Sequence, residues 1–178
     1  MTRLSKNNQS GRSMIEMLGV LAIIGVLSVG GISGYSKAMA KYKLTKAQDQ
    51  ITMLLMNIRT AYATSPSYDG LTSATAAEYN LAPNEMVTGT GSSRTLNGTF
   101  GGAVTVASTG ASDTYFYIKM EALGKEACRS LASSDWGADG LVSIKVNSGN
   151  AVTPSNLPMA LGSTGCDNET NTITWTYY

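Results

Sequence analysis

The sequence predicts an α+β protein in which one unusually long helix is followed by a small head of strands and short helices. The first observation is an apolar run that begins at Met14 and continues to Gly34. The second is a set of apolar residues at helical spacing, which extends the same helix to about Thr64. The third is a series of short segments rich in β-branched and aromatic residues in the C-terminal half, a composition typical of strands.

The apolar run is long enough to cross most of a bilayer, because residues 14–34 in helical conformation measure about 30 Å. Three of its glycines, Gly30, Gly31 and Gly34, lie close together near its end. Glycine weakens a helix by about 1 kcal/mol per site relative to alanine. We therefore expect the helix to unwind or bend most easily at these three positions.

Beyond Tyr35, lysines appear and apolar residues recur in steps of three and four, as on the buried face of an amphipathic helix. This stripe consists of Leu44, Ala47, Ile51, Leu54, Ile58 and Ala61. The helix is expected to end near Thr64, since Ser65 and Pro66 follow. A helix of about 50 residues is abnormal for a compact domain, which indicates a subunit of an assembly.

The remainder of the chain is predicted to form short helices and strands. The predicted helices are 74–80 and 121–133, and the predicted strands are 102–107, 114–120, 140–146 and 171–178. In the last strand, Trp175, Tyr177 and Tyr178 are expected to pack in the core and sheet rather than to bind a ligand.

Composition excludes several classes of function. The chain contains no histidine, which excludes Ser-His-Asp and Cys-His catalysis and most zinc sites. The formal net charge is +1 and no basic patch with interleaved aromatics is present, so no nucleic-acid binding is expected. We expect no enzymatic activity, no cofactor and no metal.

Two cysteines, Cys128 and Cys166, lie far apart in the C-terminal half, without a CxxC motif. In an exported chain, such a pair is expected to form one disulfide. Closing a loop of this size would stabilise the fold by roughly 3–4 kcal/mol. The alternative is two buried free thiols.

A short polar leader, residues 1–11, precedes the apolar run and carries Arg3 and Lys6. It ends at Gly11, five residues before Glu16, the sole charged residue of the apolar run. An ionised carboxylate at bilayer depth costs several kcal/mol unless it is paired. Glycine followed five residues later by glutamate, at the front of an apolar helix, is the arrangement that prepilin peptidases cut. With this motif the sequence resembles a type IV pilin precursor.

This resemblance implies cleavage between Gly11 and Arg12, so that the mature chain keeps the apolar helix, and methylation of the new amino group of Arg12. It also implies that Glu16 is desolvated in the filament and is neutralised there by the amino group of Arg12 from an adjacent subunit. The guanidinium of Arg12 is a second candidate partner, and the sequence does not choose between them. From the glycines at 30, 31 and 34 we further expect that assembly straightens or locally melts the helix around 30–34.

The resemblance also divides the chain into four parts. These are the leader 1–11, a transmembrane and filament-core helix 12–36, an amphipathic half 37–64 and a globular head 65–178. The implied fold is that of type IV pilins, in which the long helix packs against a small antiparallel sheet. The implied partners are identical subunits, a prepilin peptidase, an inner-membrane assembly platform and membrane lipid before assembly. The precursor is then expected in the bacterial inner membrane and the product in an extracellular filament.

The C-terminal end resembles the type IVb pilins, especially the PilS-like thin-pilus branch. The motifs are Lys-Glu-Ala-Cys at 125–128, Cys-Asp-Asn-Glu at 166–169 and Asn-Thr-Ile-Thr-Trp-Thr at 171–176. The resemblance implies that Cys128 and Cys166 form the disulfide of that family, because these motifs fall where the family places it. The resemblance covers 14–64 and 115–178, and the compact size favours a major subunit.

Other interpretations stay open at this stage. A minor pilin or a type II secretion pseudopilin shares the N-terminal signature, although the pseudopilin usually lacks the C-terminal disulfide. A plain single-pass anchor would place Glu16 at the headgroup level by chance. A membrane-anchored hydrolase is disfavoured, because the chain has no histidine and no clustered acid pair. The sequence does not choose between conjugation, adhesion, aggregation and motility as the role of the filament.

Overall fold

The longest element of the structure is a single N-terminal helix. The structure is a computed structural model, and it describes residues 14–137, 140–154 and 165–178. Helix α1 spans Met14–Ala61, 48 residues, and ends slightly before the predicted Thr64. The chain forms two compact units, and the boundary between them lies inside α1, between Ala40 and Lys41.

In the N-terminal unit, the described part of α1 has no buried residue, and only Met39 is half-buried. The predicted weak stretch at Gly30, Gly31 and Gly34 is helical here. Among the described residues, α1 is the one helix that is long and apolar enough to cross a membrane, as judged by length and composition.

Within the described ranges, the C-terminal unit contains two further α-helices and a six-stranded antiparallel sheet with strand order β1-β2-β3-β4-β6-β5. The helices are α2, Ser73–Glu78, and α3, Lys125–Ala132; the strands are β1, Val87–Thr88; β2, Thr95–Asn97; β3, Ala103–Thr109; β4, Tyr115–Leu123; β5, Leu141–Val146; and β6, Asn171–Tyr177. The C-terminal strand β6 therefore inserts between β4 and β5 and takes an interior place in the sheet.

The second half of α1 supplies one wall of the core of this unit. Ala47, Ile51, Leu54 and Ile58 are fully buried, which confirms the predicted stripe. At its two ends the stripe is less complete, because Leu44 is half-buried and Ala61 is exposed. Full burial of one isoleucine or leucine side chain stabilises a fold by about 1.5–3 kcal/mol.

The sheet supplies the opposite wall, because its strands alternate between a buried and a half-buried face. In β6, Ile173, Trp175 and Tyr177 are fully buried, whereas the threonines between them are half-buried. This is the period-2 pattern of a strand with one face in the core. The prediction that Trp175 and Tyr177 pack in the core is confirmed, whereas Tyr178 is exposed.

The predicted helix 121–133 is wrong at its start. Residues 121–123 continue β4, and α3 begins only at Lys125, after Gly124. At Ala122 the backbone has a φ of +58°, and the register with β6 shifts between Met120 and Leu123. A bulge interrupts the alternation of buried and half-buried side chains without ending the strand. For this reason β4 continues to Leu123 although the sequence pattern of a strand ends earlier.

The strands β1 and β2 were not predicted, since each is too short to show a period. Helix α2 begins one residue before the predicted 74–80 and is capped at Thr72. The Thr72 hydroxyl accepts a hydrogen bond from Thr75 N at 3.2 Å, and the Thr75 hydroxyl accepts one from Thr72 N at 2.8 Å. This reciprocal capping fixes the first turn.

Candidate functional site

The first candidate site is the start of α1, which presents an isolated carboxylate on an apolar helix. Glu16 lies in the first turn, and its side chain is exposed. A carboxylate there interacts favourably with the positive end of the helix dipole. The predicted processing residues Gly11 and Arg12 lie outside the described residues.

The helix around Glu16 exposes an unusually large apolar surface. The exposed large apolar side chains of this part are Met14, Ile15, Met17, Leu18, Val20, Leu21, Ile23, Ile24, Val26, Leu27, Val29, Ile32 and Tyr35. A contiguous apolar surface of this extent marks a contact with lipid or with other protein surfaces. The arrangement therefore suits a helix that exchanges one apolar environment for another.

The three clustered glycines of α1 are not needed for packing within the subunit. A methyl group placed on Gly30, Gly31 or Gly34 would meet no atom within 4 Å. The nearby hydroxyls of Ser28 and Ser36 donate to the carbonyl oxygens of Ile24 and Ile32 in the same helix. Packing among the described residues therefore does not require glycine at these three positions.

The second candidate site is the C-terminal disulfide region. Cys128 in α3 and Cys166 before β6 are joined in a disulfide, as predicted, with their Cα atoms 5.7 Å apart and both residues buried. Beside the bridge, Arg129 Nη2 donates to Asp167 Oδ1 at 3.4 Å. The disulfide thus ties α3 to the segment that leads into the central strand β6.

Two asparagines organise the same segment, and the sequence did not point to them. Asn171, which is 1% exposed, donates through Nδ2 to the carbonyl oxygens of Asn168 at 2.8 Å and Leu123 at 3.2 Å. Asn147 donates through Nδ2 to Asn171 Oδ1 at 2.9 Å and to Gly165 O at 2.6 Å. Buried amides need such partners, so these bonds hold the strand ends and the cysteine segment in one geometry.

A polar cluster, which we name the α1 latch, connects α1 to two loops of the head and consists of Lys46, Gln50, Glu85 and Thr99. Lys46 Nζ lies 2.8 Å from Glu85 Oε2, and Gln50 Nε2 donates to Glu85 Oε1 at 2.7 Å. The hydroxyl of Thr99 donates to Gln50 Oε1 at 2.7 Å. The one sequence signal for this site was Gln50, a polar residue beside the apolar stripe.

The α1 latch shifts the protonation equilibria of its two charged groups. Hydrogen bonds from Lys46 and Gln50 lower the pKa of the Glu85 carboxyl below its ordinary value. The hydrogen bond to Glu85 raises the pKa of the Lys46 ammonium. Both shifts favour the charged forms, so the pair stays ionised at neutral pH.

Aromatic contacts hold the C-terminal strand against the rest of the core. The rings of Trp136 and Trp175 lie 4.9 Å apart, and Phe116 stacks on Tyr177 at 5.5 Å. The guanidinium of Arg59 in α1 lies 5.5 Å from the Tyr177 ring centre. Burial raises the pKa of the Tyr177 hydroxyl, so this residue stays neutral. Within the described ranges, no cluster of three or more potential metal-ligating residues occurs.

The architecture and the disulfide together define a class of protein. The chain matches the crystal structure of a type IVb pilin from Salmonella typhi with a TM-score of 0.58 and 25% identity, over 77% of this chain and 98% of that one. It also matches the crystal structure of TcpA, a type IV pilin from Vibrio cholerae El Tor biotype, with a TM-score of 0.51 and 14% identity, over 77% of this chain and 99% of that one. The fold is that of the type IV pilins.

The particular family follows from the sequence of the C-terminal unit. A family model described as PilS N terminal matches residues 41–178, which is more than half of the chain. The chain therefore belongs to the PilS family of type IVb pilins. Comparison with curated proteins gives no match. The family and the fold support the role of a pilin subunit.

Proposed function

We propose that this chain is the precursor of a filament-forming subunit, which is anchored in the bacterial inner membrane by α1 before it enters an extracellular pilus. The observation that carries the proposal is the exposed apolar surface from Met14 to Tyr35, interrupted by the single carboxylate of Glu16, in a chain of the PilS family. Lipid covers this surface in the precursor. Helices of identical subunits cover it in the filament.

Processing by a prepilin peptidase occurs between Gly11 and Arg12 in this proposal. The cut removes the polar leader, leaves the apolar helix attached, and creates a new amino group on Arg12, so that Glu16 becomes the fifth residue of the mature chain. Methylation of that amino group follows. The motif and the continuous apolar start of α1 support this assignment.

Glu16 acts as the register group of assembly. In a core of apolar helices its carboxylate loses water, and the amino group of Arg12 on an adjacent subunit neutralises it. Removing one partner of such a buried pair costs about 3–5 kcal/mol. A subunit at the wrong axial position would incur this cost, so the pair selects one register when a subunit is inserted from the assembly platform.

The glycines at 30, 31 and 34 let the lower part of α1 depart from regular helix when it enters the filament. The proposal is supported by their low helix propensity and by the free space around them in the subunit. Local loss of helix there would let the filament lengthen under load without separating the heads.

Mass spectrometry of the protein in isolated filaments tests the proposed function. The expected result is a chain that begins at Arg12, with the added mass of one methyl group and with two hydrogens lost to the disulfide. A Gly11→Ala chain should accumulate as an uncut precursor in the membrane. Filaments built of uncut chains, or of chains that begin elsewhere, would contradict the proposal.

A further inference from the structure

Three lysines that follow the apolar run form no ion pair with the residues that the structure describes. Between Glu16 and Asp49 the charged residues are all lysines, at positions 37, 41, 43 and 46. Lys46 is used by the α1 latch, where it pairs with Glu85. The other three are exposed, and none of the described residues forms an ion pair with them. We name Lys37, Lys41 and Lys43 the lysine collar.

The lysines of the collar point in different directions around α1. This distribution favours binding to a layer of charged groups that surrounds the helix over binding to a single protein partner. Lys41 and Lys43 are two residues apart, so they point about 200° away from each other on an α-helix. One flat protein surface contacts one side of a helix. Charged groups in a plane around the helix can contact both lysines at once.

The distance along α1 places Lys37, the first lysine of the collar, at the edge of a bilayer. From Glu16 to Lys37 the helix rises about 32 Å at 1.5 Å per residue, close to the hydrocarbon thickness of about 30 Å. Tyr35 and Tyr42, which are 68% and 60% exposed, lie next to the collar in the sequence. Exposed tyrosines are enriched at the headgroup level of membranes.

The rule that governs membrane orientation does not explain these lysines. The disulfide between Cys128 and Cys166 requires an oxidising compartment, so the head lies on the translocated side. Cations that set orientation stay on the cytoplasmic side, whereas the collar is on the side of the head. Lysines next to an anionic lipid surface instead increase membrane affinity by about fivefold each.

We propose that the lysine collar binds the phosphate groups of anionic phospholipids in the leaflet on the side of the head, and so fixes the depth of the unassembled subunit. This proposal rests on the proposed membrane-anchored precursor. The lipid phosphates supply the acidic partners that the collar lacks among the described residues. Before assembly, Glu16 and Lys37 then lie at the two faces of one bilayer.

Electron paramagnetic resonance on the full-length chain in lipid nanodiscs tests this proposal. Spin-labelled phosphatidylglycerol and phosphatidylcholine report how much of each lipid is held at the protein surface. We expect a several-fold preference for phosphatidylglycerol in the wild type and in K37R/K41R/K43R, and a clearly smaller preference in K37Q/K41Q/K43Q, in which only Arg3, Lys6 and Arg12 before the helix remain to attract anionic lipid. The matched control K119Q/K125Q/K145Q removes three lysines from the head and should keep the preference.

Each remaining outcome has a defined meaning. Equal retention of both lipids by the wild type, or the same loss of preference in the collar variant and the control, overturns the proposal. Displacement of phosphatidylglycerol by millimolar inorganic phosphate also overturns it, because the site would then bind free anions. Absence of any retained lipid would instead contradict the membrane-anchored precursor, so the two failures are distinguishable.

Discussion

The two halves of α1 place the same kinds of side chain in opposite environments. In the first half, Leu18, Leu21 and Ile24 are more than half exposed, whereas in the second half Ile51, Leu54 and Ile58 are fully buried. The apolar side chains of the second half are covered within the head itself, whose core is held together by the sheet, α3 and the disulfide. The N-terminal half has no such partners among the described residues. One half of α1 therefore serves the stability of the subunit, and the other half is the one that we propose serves assembly.

A large effect on the stability of the head is expected from loss of the disulfide. Cys128→Ser should lower the free energy of unfolding of the head by roughly 3–4 kcal/mol, because the open chain regains conformational freedom. Urea unfolding of the full chain in detergent, followed by tryptophan fluorescence, measures this change. The reduced wild-type protein is the control and should be destabilised to a similar extent. Unchanged stability in both samples would show that the bridge does not support the head.

A pair of leucine substitutions sharpens the comparison between the halves. Leu54→Ala should destabilise the head by about 2–5 kcal/mol, because it leaves a cavity in the core. Leu18→Ala should leave the same unfolding transition unchanged, because Leu18 touches no core, but should weaken filament assembly. The opposite pattern, in which Leu18→Ala destabilises the head, would remove the distinction between the halves.

Much of this distinction could be predicted from the sequence, for a physical reason. The helical stripe at Ile51 and Leu54 and the alternation in β6 are local patterns, and each spans enough residues to show its period. The carboxylate of Glu16 stood out because its apolar surroundings are also local. Local patterns of this kind were sufficient for the long helix and for strands β3, β4, β5 and β6, whereas the role of Glu16 stays a prediction.

The parts that could not be predicted depend on distant partners. Gln50 meets Glu85 and Thr99 only after the head has folded, and Asn147 meets Asn171 across two strands. The bulge at Ala122 shifts the register of β4 but leaves no mark in the amino-acid composition of the segment. The sequence therefore predicts helix where the end of β4 lies. In each case, the missing information was a contact between residues far apart in the sequence.

Alanine at the clustered glycines tests the flexible part of the assembly half. The variant G30A/G31A/G34A should gain about 1 kcal/mol of helix stability per site, with no change in the unfolding of the head. Filaments of this variant should extend less under load, as measured with optical tweezers. The control G19A/G25A also adds methyl groups in free space and should extend normally. A filament reconstruction with unbroken helix from residue 14 to 60 would contradict the proposed melting.

The smallest expected effect belongs to the α1 latch and depends on pH. In the folded head the pKa of the Glu85 carboxyl is lowered from its ordinary value of 4.5. The carboxylate therefore contributes its full stabilisation at pH values above 4.5, and this contribution disappears as the pH falls through the lowered pKa. Glu85→Gln should therefore reduce the unfolding midpoint slightly at pH 7 and not at pH 2. Glu126→Gln, at an exposed position without an ion pair in the described chain, is the control. An equal loss at both pH values would show that ionisation of Glu85 does not matter.

The most direct test of the division between the halves is the amount of filament formed by Glu16→Ala cells. The variant should insert into the membrane and keep the unfolding transition of the wild-type head, while filament yield falls at least about a hundredfold, as expected from the loss of 3–5 kcal/mol. Ser28→Ala removes a polar group from the same helix without removing a charge, and should assemble normally. Normal yield and length of Glu16→Ala filaments would contradict the account, as would loss of the precursor from the membrane.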